Sequence, residues 1–323
     1  MQKSRELKGV VPVVQTPVHE DGSIDTDAIG RHIRFLTDAG VGGFWVLGTG
    51  SEDMNLTFEK RLTVARAITK ANAGKLPLVL GAGFFCMDDI LAFIDATKDL
   101  EFDAYHVMPY HPVMGLDGVE KFYRDIAAYA PKPLWMYTSG NWCRYFPPVF
   151  VGRLKGHPNI AGIKFSSSRT TDQINVIGMA EPNFQVITAV ATQFVMVLSV
   201  GVAASTTSLA GALPEPLIEI YDLFKAGKQK EAIAAQHRFN AFQSKFAKRA
   251  KEWNFLTGAH EKYILSLRGI CKPCMTSYYT ELNEQEQAQM RAALEESGYI
   301  RLLQKAASLS AEQRRPAAWP CFK

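Results

Sequence analysis

Lys164 is the residue of greatest chemical interest in this chain of 323 residues, because it closes the otherwise apolar run 160–163. Lysine is rarely buried without a task. Desolvation favours the neutral form of an amine, and a neutral amine can attack a ketone and form a Schiff base. A surface lysine that extends its amine to solvent is the alternative from this run alone.

Two other segments could complete such a site. Tyr137 closes the apolar run 133–137, and the pentapeptide Gly-Thr-Gly-Ser-Glu at 48–52 follows another apolar run. A glycine-rich turn with hydroxyls and exposed backbone N–H groups suits a small anion such as a carboxylate, although a plain turn is an equal interpretation. A Schiff-base enzyme needs an amine, a group that moves protons and a pocket for the substrate carboxylate.

The elements that would position these residues alternate regularly along the chain. Apolar, strand-like runs are each followed by a segment with helical periodicity. They lie at residues 10–16, 43–47, 78–80, 104–108, 133–137, 160–164, 184–188 and 202–206. Eight such pairs in about 225 residues predict an α/β fold, a (β/α)8 TIM barrel, whose active site lies at the carboxyl ends of the strands. An open doubly wound sheet is the alternative, but the chain lacks its glycine-rich phosphate-binding signatures.

The pattern changes after residue 225. Three helices are predicted at 229–249, 257–267 and 284–296, and Asn283 with Glu286 forms a capping-box pattern at the start of the last one. We therefore predict a barrel catalytic domain at 1–225, a C-terminal helical appendage at 226–308 and a tail at 309–323. The appendage would cover one side of the barrel or form an oligomer contact.

Composition and charge exclude several classes of protein. The chain is 47% apolar and 21% charged, which argues against disorder, and its net charge of +4 without long basic runs argues against nucleic-acid binding. It shows neither a membrane-spanning stretch nor the apolar core of a signal peptide. Five scattered cysteines fit reduced thiols, so we expect a cytoplasmic protein. Cys271 and Cys274 form a single CxxC motif without a second one, so they do not indicate a zinc site, and no histidine spacing indicates a metal site either.

Together, these residues resemble the dihydrodipicolinate synthase / N-acetylneuraminate lyase superfamily of class I aldolases, over roughly residues 8–300. The pentapeptide 48–52 is similar to the family's GTTGE or GSTGE loop. Tyr137 resembles the family's strand-five tyrosine. Lys164, in the segment GIKFSSS and 27 residues after Tyr137, resembles its Schiff-base lysine. The segment LNEQE at 282–286 resembles the start of the family's last helix.

The resemblance implies an enzyme that binds pyruvate or another 2-oxo acid as an imine on Lys164, while Tyr137 shuttles protons. The imine acts as an electron sink, so no metal or cofactor is expected. An aldehyde could be the second substrate, and a homotetramer or dimer is implied. The residues implied in substrate binding are Thr49, Gly50, Ser51, Arg144, Ser166 and Thr206.

Departures from the family pattern bear on the mechanism. Gly50 replaces a threonine or serine, so one hydroxyl contact is missing. His111 stands where the family has a tyrosine that joins a proton relay across a subunit interface. An imidazole can also relay protons, and Tyr110 is a neighbouring alternative. The segment Thr138-Ser139-Gly140 replaces the usual Asn-x-Pro, and this changed loop puts the role of Arg144 in question.

Other departures bear on the substrate. Residues 189–193, AVATQ, lack the acidic side chains that sialic-acid lyases carry there, so a polyhydroxylated sugar acid is disfavoured. Trp142, Phe84 and Phe85 could instead line an apolar pocket. We therefore predict a Schiff-base lyase or aldolase for pyruvate or a related 2-oxo acid. The alternatives are a 2-oxo sugar-acid dehydratase, dihydrodipicolinate synthase itself and a non-catalytic binding protein for 2-oxo acids.

Overall fold

The computed structural model describes residues 4–138, 142–249, 258–277 and 279–303. Eight parallel strands form one sheet in the order β1-β8-β7-β6-β5-β4-β3-β2. The ends of this sheet meet, because the backbone N–H of Val14 donates to the carbonyl of Trp45 at 3.0 Å. The predicted (β/α)8 barrel is therefore confirmed. Its strands are β1 Gly9–Pro12, β2 Phe44–Val46, β3 Leu78–Gly81, β4 Ala104–Val107, β5 Leu134–Tyr137, β6 Ile160–Phe165, β7 Gln185–Thr188 and β8 Ala204–Thr207.

Helices alternate with these strands and begin at recognisable caps. The Asp25 side chain accepts from the first turn of α1, and Thr57 does the same for α2. Pro148 opens α5, where its missing N–H costs no hydrogen bond. The helices of the barrel are α1 Thr26–Asp38, α2 Phe58–Asn72, α3 Met87–Thr97, α4 Leu116–Tyr129, α5 Pro148–Leu154, α6 Thr170–Ile177, α7 Phe194–Ser199 and α8 Glu215–Lys225.

Side chains alternate between two apolar layers along each strand. In β5, Leu134 and Met136 join the large core between the barrel and its helices, while Trp135 and Tyr137 join the core inside the barrel. This alternation is the period of two that a strand imposes. It directs Tyr137 toward the barrel interior.

Among the described residues after the barrel, the chain forms the helices α9 Gln229–Ser244, α10 Ala259–Leu267 and α11 Glu284–Glu296. The predicted capping box of α11 is confirmed, whereas α9 ends earlier than predicted. Since α8 ends at Lys225, the proposed division at that residue stays a prediction, as does the tail, which lies outside the described residues. Within the described ranges, no helix is long and apolar enough to span a bilayer.

Candidate active site

Lys164 and Tyr137 face each other on neighbouring strands at the mouth of the barrel. They are register partners in the β5–β6 ladder, and the Lys164 Nζ lies 3.9 Å from the centroid of the Tyr137 ring. The lysine is only 5% exposed. Among the residues that the structure describes, its amine has no hydrogen-bond or ion-pair partner. A buried amine without a counterion is suited to reaction rather than to structural pairing.

The Tyr137 hydroxyl connects this amine to the glycine-rich segment 48–52, here called the carboxylate loop. Its oxygen lies 2.8 Å from the Thr49 Oγ1, and both groups are buried. Thr49–Ser51 forms a short 3-10 turn directly after β2. The chain therefore brings the predicted amine, proton carrier and anion loop to one place.

The hydroxyl of Ser51 is a buried polar group without a partner. Ser51 is 0% exposed, and its Oγ makes no hydrogen bond within the described ranges. Its backbone carbonyl accepts from the Thr16 hydroxyl at 2.7 Å, which holds this end of the loop. A free buried hydroxyl costs stability unless it serves a ligand, so it suits the predicted role in carboxylate binding.

Packing requires a glycine at position 50. A Cβ on Gly50 would lie 2.7 Å from the Ser208 Cβ and 3.1 Å from the Val13 Cγ1. Its φ is not positive, so its backbone conformation is open to any residue. The absence of a side chain here is therefore a matter of space, and Ser208 takes that space.

A buried ion pair anchors the far end of the carboxylate loop. The Glu52 Oε1 lies 2.7 Å from the Lys262 Nζ on α10, and both side chains are 0% exposed. The Glu52 Oε2 also accepts from the backbone N–H and the hydroxyl of Thr276, each at 2.8 Å. Lys262 donates in addition to the Cys274 carbonyl at 2.8 Å. The C-terminal helices thus hold the loop, a role that sequence analysis missed.

Tyr110 is buried in the same cluster as Tyr137. Its hydroxyl donates to the Asp53 Oδ2 at 2.5 Å, and both residues are nearly inaccessible. Burial, together with Asp53 and Tyr137, raises the pKa of Tyr110 well above its usual value. Burial also raises the pKa of Asp53, although the Arg61 charge opposes this.

His111, the predicted relay residue, contacts Phe85. Its Nε2 is 3.0 Å from the Phe85 carbonyl, and its ring packs at 4.2 Å on the exposed Phe85 ring. Its described contacts therefore do not include Tyr137 or Thr49, and the relay role stays a prediction. The geometry favours Tyr110, the alternative, because it is buried in the same cluster as Tyr137 and interacts with it electrostatically.

The remaining predicted residues differ in placement. Thr206 is fully buried, and its hydroxyl has no described partner. A substrate contact through its carbonyl, the group that the family resemblance implies, stays a prediction. Ser166 donates its backbone N–H to the Thr138 hydroxyl at 3.0 Å. Arg144 is exposed and makes no hydrogen bond or ion pair with the other candidates. Residues 139–141 lie outside the described residues.

An aromatic layer beneath the amine was not predicted as part of the site. Trp45 stacks on His106 at 4.2 Å and meets Tyr137 edge-on at 5.5 Å. The His106 Nε2 donates to the Val46 carbonyl at 2.8 Å, and burial lowers the pKa of His106 to about 3. The imidazole is thus neutral near pH 7. Its inward position on β4 was the signal that could have revealed it.

Comparison with known proteins decides the family. A model of the dihydrodipicolinate synthetase family matches residues 6–297. The chain belongs to this family. It is 27% identical over 235 residues to a 4-hydroxy-tetrahydrodipicolinate synthase of Methanosphaerula palustris, covering 72% of this chain and 81% of that protein. It is 26% identical over 300 residues to an uncharacterized DapA-like lyase of Halobacterium salinarum, covering 91% and 95%.

Solved structures of a dihydrodipicolinate synthase and an N-acetylneuraminate lyase share the fold. A dihydrodipicolinate synthase from Bacteroides thetaiotaomicron superposes with a TM-score of 0.82 at 22% identity, covering 90% of this chain and 98% of that one. An N-acetylneuraminate lyase of Proteus mirabilis gives 0.82 at 22%, covering 91% and 99%. At this identity the superpositions show the barrel and its appendage and do not identify a substrate.

Polar groups at the end of β7 are hydrogen-bonded within the chain. The Gln193 Oε1 accepts from the Gln173 amide at 2.7 Å, and the Thr192 carbonyl accepts from Asn240 at 3.0 Å. These groups are therefore engaged by the protein itself. Trp142, which follows β5, packs against the core inside the barrel. The Gln193 and Thr192 oxygens thus already accept hydrogen bonds from the chain before any second substrate binds.

Proposed function

We propose that this chain is a Schiff-base-forming lyase or aldolase that acts on pyruvate or a related 2-oxo acid. It cleaves a C–C bond to release this acid, or forms that bond by condensation. One observation carries the proposal. The buried Lys164 amine, without a described polar partner, lies against Tyr137, whose hydroxyl reaches Thr49 of the carboxylate loop. Family membership supports a lyase.

The chemistry follows from these three groups. After losing a proton, the Lys164 amine adds to the C2 carbonyl of the 2-oxo acid, and the carbinolamine loses water to give a protonated imine. Tyr137 donates the proton that the leaving hydroxyl needs, and Thr49 hydrogen-bonds to the phenol oxygen.

Bond cleavage then uses the imine as an electron sink. When the C3–C4 bond breaks, its electron pair moves into C3–C2 and on to the imine nitrogen, which leaves an enamine and a free aldehyde. The C4 hydroxyl gives up its proton, and Tyr137 is the acceptor nearest the amine. Protonation of the enamine at C3 and addition of water release pyruvate, and the reverse order gives condensation.

In this proposal the substrate carboxylate binds to the carboxylate loop. The Thr49 hydroxyl, the backbone N–H of Gly50 and the free Ser51 hydroxyl lie where a glycine-rich turn binds anions. The Glu52–Lys262 pair and the Thr276 contacts fix this turn from behind. The loop thus orients the 2-oxo group toward Lys164.

Borohydride trapping tests the proposal. The protein is incubated with pyruvate, reduced with borohydride and weighed by intact mass spectrometry, and a peptide map then locates the adduct. We expect a single adduct on Lys164 that Lys164→Ala abolishes and that Lys98→Ala, a change at an exposed lysine, leaves intact. Absence of an adduct across a panel of 2-oxo acids would overturn the proposal and favour the non-catalytic binding protein.

The substrate is proposed from the end of β7. Because the Gln193 and Thr192 acceptors are engaged by Gln173 and Asn240, we propose an aldehyde partner with an apolar body rather than a sugar. A panel of 4-hydroxy-2-oxo acids, assayed by pyruvate release, ranks the candidates. A sugar-acid dehydratase would consume its substrate, release water and form no pyruvate.

We also propose a cytoplasmic homo-oligomer, a dimer or tetramer, as the notable similarity to dihydrodipicolinate synthases suggests. Sedimentation velocity at several concentrations tests this. A monomer at micromolar concentration would contradict the oligomer and would also remove any part for His111 in a neighbour's site.

A further inference from the structure

The space beside Gly50 contains a hydroxyl from another part of the chain. Ser208 follows β8, and its Oγ lies 3.6 Å from the position of a Cβ on Gly50, while its Cβ lies at 2.7 Å. A serine or threonine at position 50 would carry its own hydroxyl into this region. Ser208 therefore places a hydroxyl in the region where the carboxylate loop, with glycine at position 50, has none.

The Ser208 hydroxyl is held by a buried carboxyl group. Its Oγ hydrogen-bonds to the Glu261 Oε1 on α10, and Glu261 is only 6% exposed. The residue after Gly50 in this region, Ser51, is also buried. Ser208 is thus fixed between the carboxylate loop and the C-terminal helices.

Glu261 has no cation of its own among the described residues. The nearby Glu52 is a second buried carboxyl group, and the adjacent buried ammonium of Lys262 pairs with Glu52. Cys271, on the segment after α10, carries a neutral thiol because burial raises its pKa to about 12. Burial and the Glu52 charge raise the pKa of Glu261. These surroundings favour a Glu261 that holds its proton more readily than an exposed glutamate.

A hydroxyl has a single proton, and this limits the arrangement. If Ser208 donates to Glu261, its oxygen presents only lone pairs to a neighbouring anion. If Glu261 is protonated and donates to Ser208, the Ser208 proton is free to donate elsewhere. An anion on the carboxylate loop therefore favours the second arrangement.

We propose that Ser208 donates a hydrogen bond to the substrate carboxylate, in place of the hydroxyl absent at Gly50, and that Glu261 is a positioning residue that donates its proton to Ser208 in that complex. The inference rests on the proposed function. Binding above the pKa of Glu261 takes up one proton from solvent, which ends on the Glu261 carboxyl group.

Substitution of Ser208 tests the binding role. The assay measures the rate of borohydride trapping against pyruvate concentration. A hydrogen bond to a charged group corresponds to about a 10- to 100-fold change in binding, so Ser208→Ala should raise the half-saturating concentration by that factor. The exchange Gly50→Ser with Ser208→Gly returns a hydroxyl to the loop and should restore binding. An unchanged half-saturating concentration in Ser208→Ala overturns the inference.

The pH dependence tests the positioning role. In the wild-type protein, the half-saturating pyruvate concentration should rise as the pH increases through the pKa of Glu261. Glu261→Gln should remove this slope, since an amide donates to Ser208 at every pH, whereas the matched surface change Glu20→Gln should retain it. An equal slope in Glu261→Gln refutes the role of Glu261.

A measurement on the wild-type protein covers the case in which Glu261→Gln does not fold. Titration calorimetry with pyruvate, in two buffers of different ionisation enthalpy, reports proton uptake directly. Because imine formation at Lys164 moves a proton of its own, the wild-type uptake is compared with that of Ser208→Ala. We expect the wild-type protein to take up nearly one proton more than Ser208→Ala at the alkaline side, and equal uptake at every pH contradicts the inference. A wild-type adduct on Lys164 with no effect at Ser208 refutes this inference alone, whereas no adduct refutes the proposed function.

Discussion

The buried ion pair behind the carboxylate loop makes a sharp prediction for Lys262→Met. Methionine has a similar length and keeps the packing of α10, but it removes the charge opposite Glu52. Both partners are 0% exposed, and the two charged atoms lie 2.7 Å apart. After the substitution, the Glu52 carboxylate keeps its two contacts with Thr276 but has no cation.

The expected magnitude follows from this burial. Removing one partner of a buried pair costs about 3–5 kcal/mol, because the remaining charge stays desolvated. The Cys274 carbonyl also loses its donor, which places Lys262→Met toward the upper end of that range. The double variant Glu52→Gln with Lys262→Met contains no unpaired charge, so it should be less destabilised than the sum of the single variants.

Urea unfolding, followed by tryptophan fluorescence and circular dichroism, measures these changes in the free energy of unfolding. Lys272→Met is the matched control, because Lys272 pairs with Glu20 at the same 2.7 Å but on the surface, with side chains 66% and 76% exposed. We expect that control to unfold at nearly the wild-type urea concentration. Equal effects of Lys262→Met and Lys272→Met would refute the reasoning that burial sets the cost.

Three further predictions concern other buried groups. Burial lowers the pKa of His106 to about 3, whereas the value in the unfolded chain is near 6.5, so protons favour the unfolded state as the pH falls below 6.5. Acidification from pH 7 to 5 should therefore lower the free energy of unfolding by about 2 kcal/mol. His106→Gln should show a correspondingly smaller loss in urea melts at the two pH values. Tyr110→Phe removes the donor to the buried Asp53 and should lower the free energy of unfolding by about 1–3 kcal/mol, whereas no change would show that water replaces it. Iodoacetamide at pH 8 should modify the exposed Cys86 well before Cys271, whose pKa is about 12, as peptide mass mapping over time would show.

The barrel and the heart of the candidate site were predictable from local pattern. Apolar runs with a period of two, separated by helical periodicity, indicated eight strand–helix pairs, and the structure has them. Since all parallel strands end at one rim, residues that close neighbouring strands must meet. That rule alone placed Tyr137 beside Lys164, and they are register partners.

Contacts between distant segments could not be predicted in this way. The partners Glu52 and Thr276 are 224 residues apart, and Ser208 and Glu261 are 53 apart. Sequence analysis treated the C-terminal helices as cover, whereas Lys262 and Glu261 on α10 contact the carboxylate loop and its neighbour. No local periodicity reports which helix face lies against which loop.

The relay residue shows the same limit at short range. Tyr110 and His111 are adjacent, and residue type favoured both as proton carriers. Only the packing of the loop after β4 places Tyr110 inward on Asp53 and leaves His111 on Phe85. The sequence by itself determined the barrel and the chemistry that its strand ends can perform, because both depend on repeat length and residue type. Tertiary structure decided which polar groups share an enclosed space, since burial and charge pairing depend on distances that sequence order does not encode.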